Sequence, residues 1–452
     1  MLLCPLDYRY GRKAMKSIFS EENRLRMQLL VEASLAKAHA RVGNIPEDMA
    51  KIIVSCATLD CVKLDRVKAI ELETKHDIMA MVRALAEACG DAGKYVHLGA
   101  TSNDIIDTAT ALQMKEALGI IEKDLVELIE IFAKLAKKHR TTVMVGRTHG
   151  QFAVPTTFGF KVAGYLMEMM RHYERLTDIK KRVCVGKMSG AVGTGAALGS
   201  KFFEIQEDVM RDLGLEFEEA ATQIVCRDRY AELICLMAQI CTSCERYATE
   251  VRNLQRSEIQ EVAEAFDVEK QIGSSTMAQK KNPVVSENIC GLARIVRSFV
   301  VPSFENMILW HERDLTNSSA ERFILPHVLV LTDDILAKTT DVFAHLIVRS
   351  DKMKENLEKS KGLIMAEAVM IELVRRGMGR QEAHALVREC SLEAEEKGVH
   401  LKKALLSRKE IRSLIDEKEL DRVMAPENYL GKAPEIVDRV VKTAEQFLSK
   451  LV

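Results

Sequence analysis

A chain of 452 residues with 47% apolar side chains is long for one compact core and can bury two or three. Its 65 basic residues against 66 acidic ones exclude the general positive field of a nucleic-acid binder and leave no polybasic membrane signal, so any anion site must be a local cluster. Eight prolines, 5% aromatics and abundant Leu, Ala, Met, Glu, Lys and Arg favour helix, because unbranched side chains lose little rotamer freedom there. An all-α fold is expected.

No apolar run reaches membrane-spanning length, and the N-terminus lacks a basic segment followed by an apolar stretch, so the expected location is the cytoplasm. The cysteine count, eleven, is odd, and Cys89, Cys235, Cys241, Cys244 and Cys290 sit among apolar neighbours; they read as reduced core residues. Cys241 and Cys244 form a CxxC without a second one, which gives no metal or redox signal.

In chain order, the first third to about Tyr95 reads as shorter helices, one of them opened by Ser20 as N-cap. A stretch without glycine or proline, Ile120 to Val145, is a candidate long helix. A larger one, Leu215 to Ile272, runs 58 residues with nothing that need break it. Within it Leu233, Met237, Ile240, Cys244, Tyr247, Val251 and Leu254 alternate at four and three residues, and Ile234, Ala238 and Cys241 widen the stripe. That pattern predicts a bundle helix covered on several sides. Val284 to Cys290, resuming after Gly291, is a further stave. From about Asp351 shorter helices return, with Gly379 and the Pro426 to Pro434 region as breaks. Three domains follow, residues 1–96, 97–352 and 353–452, the middle one an elongated bundle.

Turn-forming residues gather in four segments: HLGATSNDIID from His97, GRTHGQFAVP from Gly146, GKMSGAVGTGAALG from Gly186 and GSSTMAQKKNP from Gly273. The third contains only GxGxxxG without a preceding strand, so a glycine turn is favoured over a dinucleotide site. His76 beside Asp77, His97 and His149 are each, taken singly, structural histidines more often than catalysts. Their company changes that weighting: Thr101, Ser102 and Asn103 follow His97, and Thr148 precedes His149. With no HExxH and no clustered Cys/His spacing, no metal is expected. The last segment, followed by Glu287, offers serines, lysines and an asparagine in a glycine-opened loop able to close over a carboxylate.

GSSTMAQKKNP resembles the signature GSSxMPxKxNP of the fumarase/aspartase superfamily, and HLGATSNDIIDTA, GRTHGQ and the signature repeat its three regions in order across nearly the whole chain. Within it LWHERDLTNSSAER (Leu309 to Arg322), ETKHDIMA, GKMSGAVGT and DYRYG (Asp7 to Gly11) are similar to the adenylosuccinate lyases. Ala278 stands where the superfamily usually has proline and Gln279 where those enzymes often have histidine; this QKKNP spelling is more familiar from argininosuccinate lyase. The departure bears on loop stiffness rather than chemistry.

The resemblance implies a three-domain fold whose long helices form the central core of a homotetramer, with active sites shared between subunits. It also implies an anti β-elimination of fumarate from adenylosuccinate and from succinyl-aminoimidazole-carboxamide ribotide, without cofactor. Ser274 would be the base, activated by its surroundings, His149 the acid paired with Glu287, and Lys280 and Asn282 the groups stabilising the carbanion. Thr101, Ser102 and Thr148 would hold the succinyl carboxylates. His76, Asp77, His97 and Gln223 would contact substrate, and Arg9, Tyr10, Arg313, Ser318 and Arg322 its AMP part. The bland alternative for those arginines is surface ion pairing with Asp314 and Glu321. Rival readings are argininosuccinate lyase, against which LWHERDLTNSSAER speaks, and a non-catalytic structural protein, against which Ser274, His149, Lys280 and Glu287 speak together.

Overall fold

The computed structural model describes residues 3–266, 276–277 and 279–451. Helices dominate, as expected. The four longest helices span Ser102–Lys138, Thr316–Ala344, Asp228–Leu254 and Phe158–Val183, and Val284–Ser298 supplies a shorter stave. Every residue of the predicted seam, from Leu233 through Leu254, is buried, and so are Ile234, Ala238 and Cys241. Ser20 caps Glu21–Arg41 by accepting a hydrogen bond from the Asn23 N–H. Gly379 opens Arg380–Glu396, and Pro434 lies in the first turn of Ala433–Leu448. No described helix is long and apolar enough to cross a membrane. All eleven cysteines carry free thiols; Cys89, Cys241, Cys244 and Cys290 are buried and Cys235 is partly exposed.

Two expectations about helix length fail for the same physical reason. Among the described residues, the stretch from Leu215 is helical only over Asp228–Leu254. Before it Glu216–Phe217 pairs in parallel with Val185–Gly186, the Val225 N–H donates to Asp107, and Arg229 holds Glu218. After it Val262–Ala263 pairs antiparallel with Ile347–Val348. Propensity differences of a few tenths of a kcal/mol per residue yield to such buried polar partners. Likewise the Ile120 to Val145 stretch leaves helix at Lys138, and Val143–Thr148 enters a hairpin with Gln151–Thr157, bulged between Val145 and Arg147. Its β-branched residues fit a pleated strand better than a helix.

The chain divides into two compact units, residues 1–125, 172–244 and 291–337 in the first and 126–171, 245–290 and 338–452 in the second. In the first, Leu25, Leu29 and Leu35 pack with Ile78, Met81, Leu85, Leu112 and Val209. In the second, Phe132 meets Tyr247 and Phe343 edge-on at 5.5 and 5.0 Å between ring centroids. A separate cluster there joins Leu373, Val387, Leu401, Leu405 and Leu420 with Val145 of the hairpin.

Contrary to expectation a short strand, Val185–Gly186, does precede the glycine-rich segment, which is a close-packed turn. Gly193 has φ +83°, and a Cβ there would lie 1.9 Å from the Ala221 carbonyl oxygen. Replacing Gly193 by alanine therefore combines left-handed strain with a backbone clash, and should lower unfolding stability by about 2–3 kcal/mol in chemical denaturation beside the parent chain. An unchanged midpoint would mean that the segment moves freely.

Candidate active site

The first unit contains a cavity of about 230 Å³ whose wall includes Arg24, Asn103, Arg313, Asn317, Ser318 and Arg322. Arg313 precedes the helix Thr316–Ala344, and Ser318 and Arg322 lie in its first two turns. Asp314 caps that helix: its carboxylate accepts the Thr316 N–H and the Trp310 N–H, both at 2.8 Å. The Thr316 hydroxyl and these two amides hold the Asp314 carboxyl below its usual range. Glu321 is bound to Arg227. Among the described residues neither acid pairs with Arg313 or Arg322.

Arg322 instead reaches Asp77, whose Oδ2 accepts from Arg322 Nη2 and from Arg24 Nη2, each at 3.1 Å. Asp77 begins the helix Asp77–Cys89, and the preceding His76 is its N-cap, with Nδ1 accepting the Met79 N–H. Arg313 donates to the Gln223 side-chain oxygen at 3.0 Å. Burial, with the nearby Arg227 cation, lowers the pKa of the Arg313 guanidinium below its ordinary value. Three buried polar atoms on this wall, Arg313 Nε, Asn103 Nδ2 and Asn317 Oδ1, have no hydrogen-bond partner.

Glu32, itself buried, holds His97. One carboxylate oxygen lies 2.6 Å from His97 Nδ1, and the other accepts the His97 N–H at 3.1 Å. Burial alone would lower the imidazole pKa; the hydrogen bond and charge of Glu32, helped by Asp104, outweigh it and the net shift is upward. His97 has φ +63°, and the next residue's carbonyl is tied to His39 Nε2. Asp104 braces the following residues: it accepts the Thr101 N–H at 2.8 Å, the Lys187 ammonium at 2.5 Å and the Ser189 and Gly190 amides. Ser102 opens the helix Ser102–Lys138. Arg9 is exposed and Tyr10 half-buried, and their segment is anchored by Arg12, which binds both Asp124 and Asp333. Burial pushes the Asp124 carboxyl up to about 7 against the pull of Arg12.

In the second unit His149 and Gly150 form the two-residue tip of the hairpin, with φ of +52° and +74°. Two positive φ values define a type I′ turn, which Gly tolerates and His adopts only under tertiary constraint. The constraint is adjacent: Arg147 grips the buried Glu261 through two hydrogen bonds of 2.9 and 2.7 Å, and Asn356 donates to the same carboxylate. Thr148 and His149 are exposed, and the His149 ring makes no hydrogen bond among the described residues. Glu264 accepts the Val285 and Ser286 amides and so caps Val284–Ser298, which carries Glu287, exposed, in its first turn. Lys280 is exposed and Asn282 half-buried just before it. Ser274 and Ala278 lie outside the described residues.

The first unit thus brings together Asp77, Arg322, Arg313, Gln223 and Ser318, and braces His97, Thr101 and Ser102. The second carries Thr148, His149, Lys280, Asn282 and Glu287. Sequence reading missed Arg24, Arg227, Glu32 and Asp104. Only Asp104 left a trace, as part of TSND; the others look like ordinary charges on helical segments. Among the described residues no three His, Cys, Asp or Glu side chains are placed to hold a metal ion.

A lyase family model matches residues 8–298, and one described as the C-terminus of adenylosuccinate lyase matches 362–440. The adenylosuccinate lyase of Pyrococcus abyssi is 53% identical, covering 99% of each chain; that of Methanocaldococcus jannaschii is 50% identical, covering 98% of this chain and 96% of its own. A solved structure of fumarate lyase from Mesorhizobium sp. BNC1 is 35% identical with a TM-score of 0.89, covering 96% of this chain and 98% of that one. The chain belongs to the adenylosuccinate lyase family.

Proposed function

We propose that this chain cleaves adenylosuccinate to AMP and fumarate, and succinyl-aminoimidazole-carboxamide ribotide to its carboxamide and fumarate, as a cytoplasmic enzyme of purine biosynthesis. The observation that carries the reading is the arginine wall of the cavity. Arg313 has no carboxylate within ion-pair distance among the described residues, and Arg322 shares a single oxygen of Asp77 with Arg24. A phosphate dianion suits such a wall, because guanidinium forks bind it bidentately.

In this reading the reaction is an anti β-elimination. Ser274 takes the proton beside a succinyl carboxylate, the electron pair expels nitrogen, and His149, oriented by Glu287, protonates the leaving nitrogen. Lys280 and Asn282 stabilise the carbanion; Thr101, Ser102 and Thr148 hold carboxylates. Arg9, Tyr10, His76, Ser318 and the imidazolium of His97 complete the grip on the nucleotide. No redox step or Lewis acid enters this scheme.

The working form is a homotetramer with sites shared between subunits, its core built from the central segment of a chain divided near residues 96 and 352. A surface string supports a covering copy: Ile308 and Trp310 are each 77% exposed, with Leu315 and Phe323 close behind. So much apolar area on one stretch is rare on a lone chain.

Incubating the protein with adenylosuccinate should give the ultraviolet change of AMP and fumarate formation, and argininosuccinate should give none. Efficient argininosuccinate cleavage would remove the nucleotide assignment. Arg322→Lys should lower kcat/KM by roughly 10- to 100-fold, about 1.4–2.8 kcal/mol, with little change in folding.

Shared sites make a different prediction. Chains inactivated by His149→Gln and by Ser274→Ala, dissociated and mixed at random, should recover roughly a quarter of the sites. Mixed tetramers that stay dead would place both residues in one chain's site.

His97 supplies a test in pH. The pKa raised by Glu32 keeps the imidazole cationic above its ordinary range near 6.5, so the pair's contribution to stability is complete below that value and lost as pH climbs through the raised one. Glu32→Gln removes the main influence opposing burial and leaves only the weaker one of Asp104. KM for adenylosuccinate should then begin its rise at a lower pH than in the parent. A profile superimposable on the parent's would take His97 out of phosphate binding.

A further inference from the structure

Arg227 is a buried and fully paired charge of the first unit. Its side chain is 3% exposed. Nη1 and Nη2 each donate to one oxygen of Asp107 at 2.9 Å, Nε and Nη2 donate to the two oxygens of Glu321 at 2.7 and 3.2 Å, and Nη1 also donates to the Val225 carbonyl at 2.7 Å. All five N–H donors of the guanidinium are used. Its plane lies over the Tyr230 ring, 4.6 Å from the centroid. Asn317 adds a further hydrogen bond to Glu321 at 2.9 Å. One cation therefore occupies two carboxylates, that of Asp107 fully buried and that of Glu321 partly so.

Arg313 stands on the same cavity wall in the opposite condition. Its one side-chain partner is the neutral Gln223 amide, and its Nε is buried and unpaired. Asp107 and Glu321 are close enough to act on Arg313 electrostatically, yet their oxygens are turned to Arg227. An unpaired buried carboxylate is costly enough to seek any cation within reach. If Arg227 let go of either acid, Arg313, which already feels both charges, would be a ready replacement on this wall.

We propose that Arg227 is a positioning residue for substrate binding: by engaging Asp107 and Glu321 together it withholds both from Arg313, and so keeps the Arg313 guanidinium open for the phosphate of the nucleotide. The inference rests on the functional reading above, in which Arg313 binds the AMP part. It assigns Arg227 no contact with the substrate. Its effect falls on binding and leaves the chemical step alone.

The test compares kcat and KM for adenylosuccinate, and the Kd of AMP by calorimetry, in Arg227→Met and in Arg227→Met combined with Glu321→Gln. The single variant should raise KM and Kd by roughly tenfold or more while kcat stays within about threefold, because a freed carboxylate captures Arg313. The double variant removes one of the two charges that can capture Arg313, and should bring KM and Kd part of the way back toward the parent values. A merely structural role predicts the reverse, since deleting a second member of a buried network damages it further. Parent-like KM in the single variant, or no recovery in the double, overturns the proposal. Should Arg227→Met fail to fold, the same pair is made with Arg227→Lys, whose point charge cannot fork to both acids. Raised KM relieved by Glu321→Gln supports the proposal there, and unrelieved or unchanged KM overturns it. Failure of the parent chain to cleave adenylosuccinate would overturn the functional reading; parent activity with indifferent Arg227 variants would overturn only this inference.

Discussion

The first unit's functional loops stand on one buried carboxylate. Asp104 is fully buried with Lys187, and its two oxygens gather the Thr101, Ser189 and Gly190 amides as well as the ammonium. A buried carboxylate is tolerable only when its lone pairs are filled, which makes this arrangement nearly all-or-none. Two loops far apart in sequence are thereby fixed to each other. The segment carrying Thr101 and Ser102 inherits its position from that satisfaction, while Glu32 does the same for His97 a few residues earlier. A chain with a net charge of −1 can thus present fixed local charge, because its cations and acids are sorted by burial instead of by number.

The same sorting separates the arginines by task. Arg227 and Arg12 sit against two carboxylates each and serve structure. Arg313, Arg24 and Arg322 are under-compensated and line the cavity. Arginine is suited to both tasks because its charge persists under desolvation and its donors lie in a fixed plane. Which task a given arginine performs is decided by the acids around it, a property of the fold.

That distinction explains what could be read from sequence. The seam from Leu233 to Leu254 was legible because helical burial repeats along the chain, and a local pattern records it. The Ser20 cap was legible for the same reason, since donor and acceptor lie within one turn. The hairpin carrying His149 was hidden, because its first residues, Val143 to Val145, continue a breaker-free run and the turn needs a histidine at positive φ, a choice made by Arg147 and Glu261 together. Arg227 was hidden for a stronger reason: its partners are 120 and 94 residues away. Motif resemblance supplied the candidate residues whose meaning lies in such distant pairings, including Asp77 and Arg322, 245 residues apart.

One contrast between the units bears on assembly. The binding wall of the first is braced by buried charge, whereas Thr148, His149, Lys280 and Glu287 of the second are all exposed. A proton donor in open water gains little from its neighbours, because bulk solvent screens a charge at 4 Å to about 1 kcal/mol. Elimination from a weakly acidic carbon needs fixed donors in a water-poor site. His149 is already held at strained dihedrals on an anchored hairpin, so its placement is prepared before its surroundings are dry. Strain of this kind persists only where the surrounding structure over-determines it. On the proposed reading, in which His149 belongs to a site shared between subunits, the groups that dry its surroundings come with the substrate and with other copies of the chain.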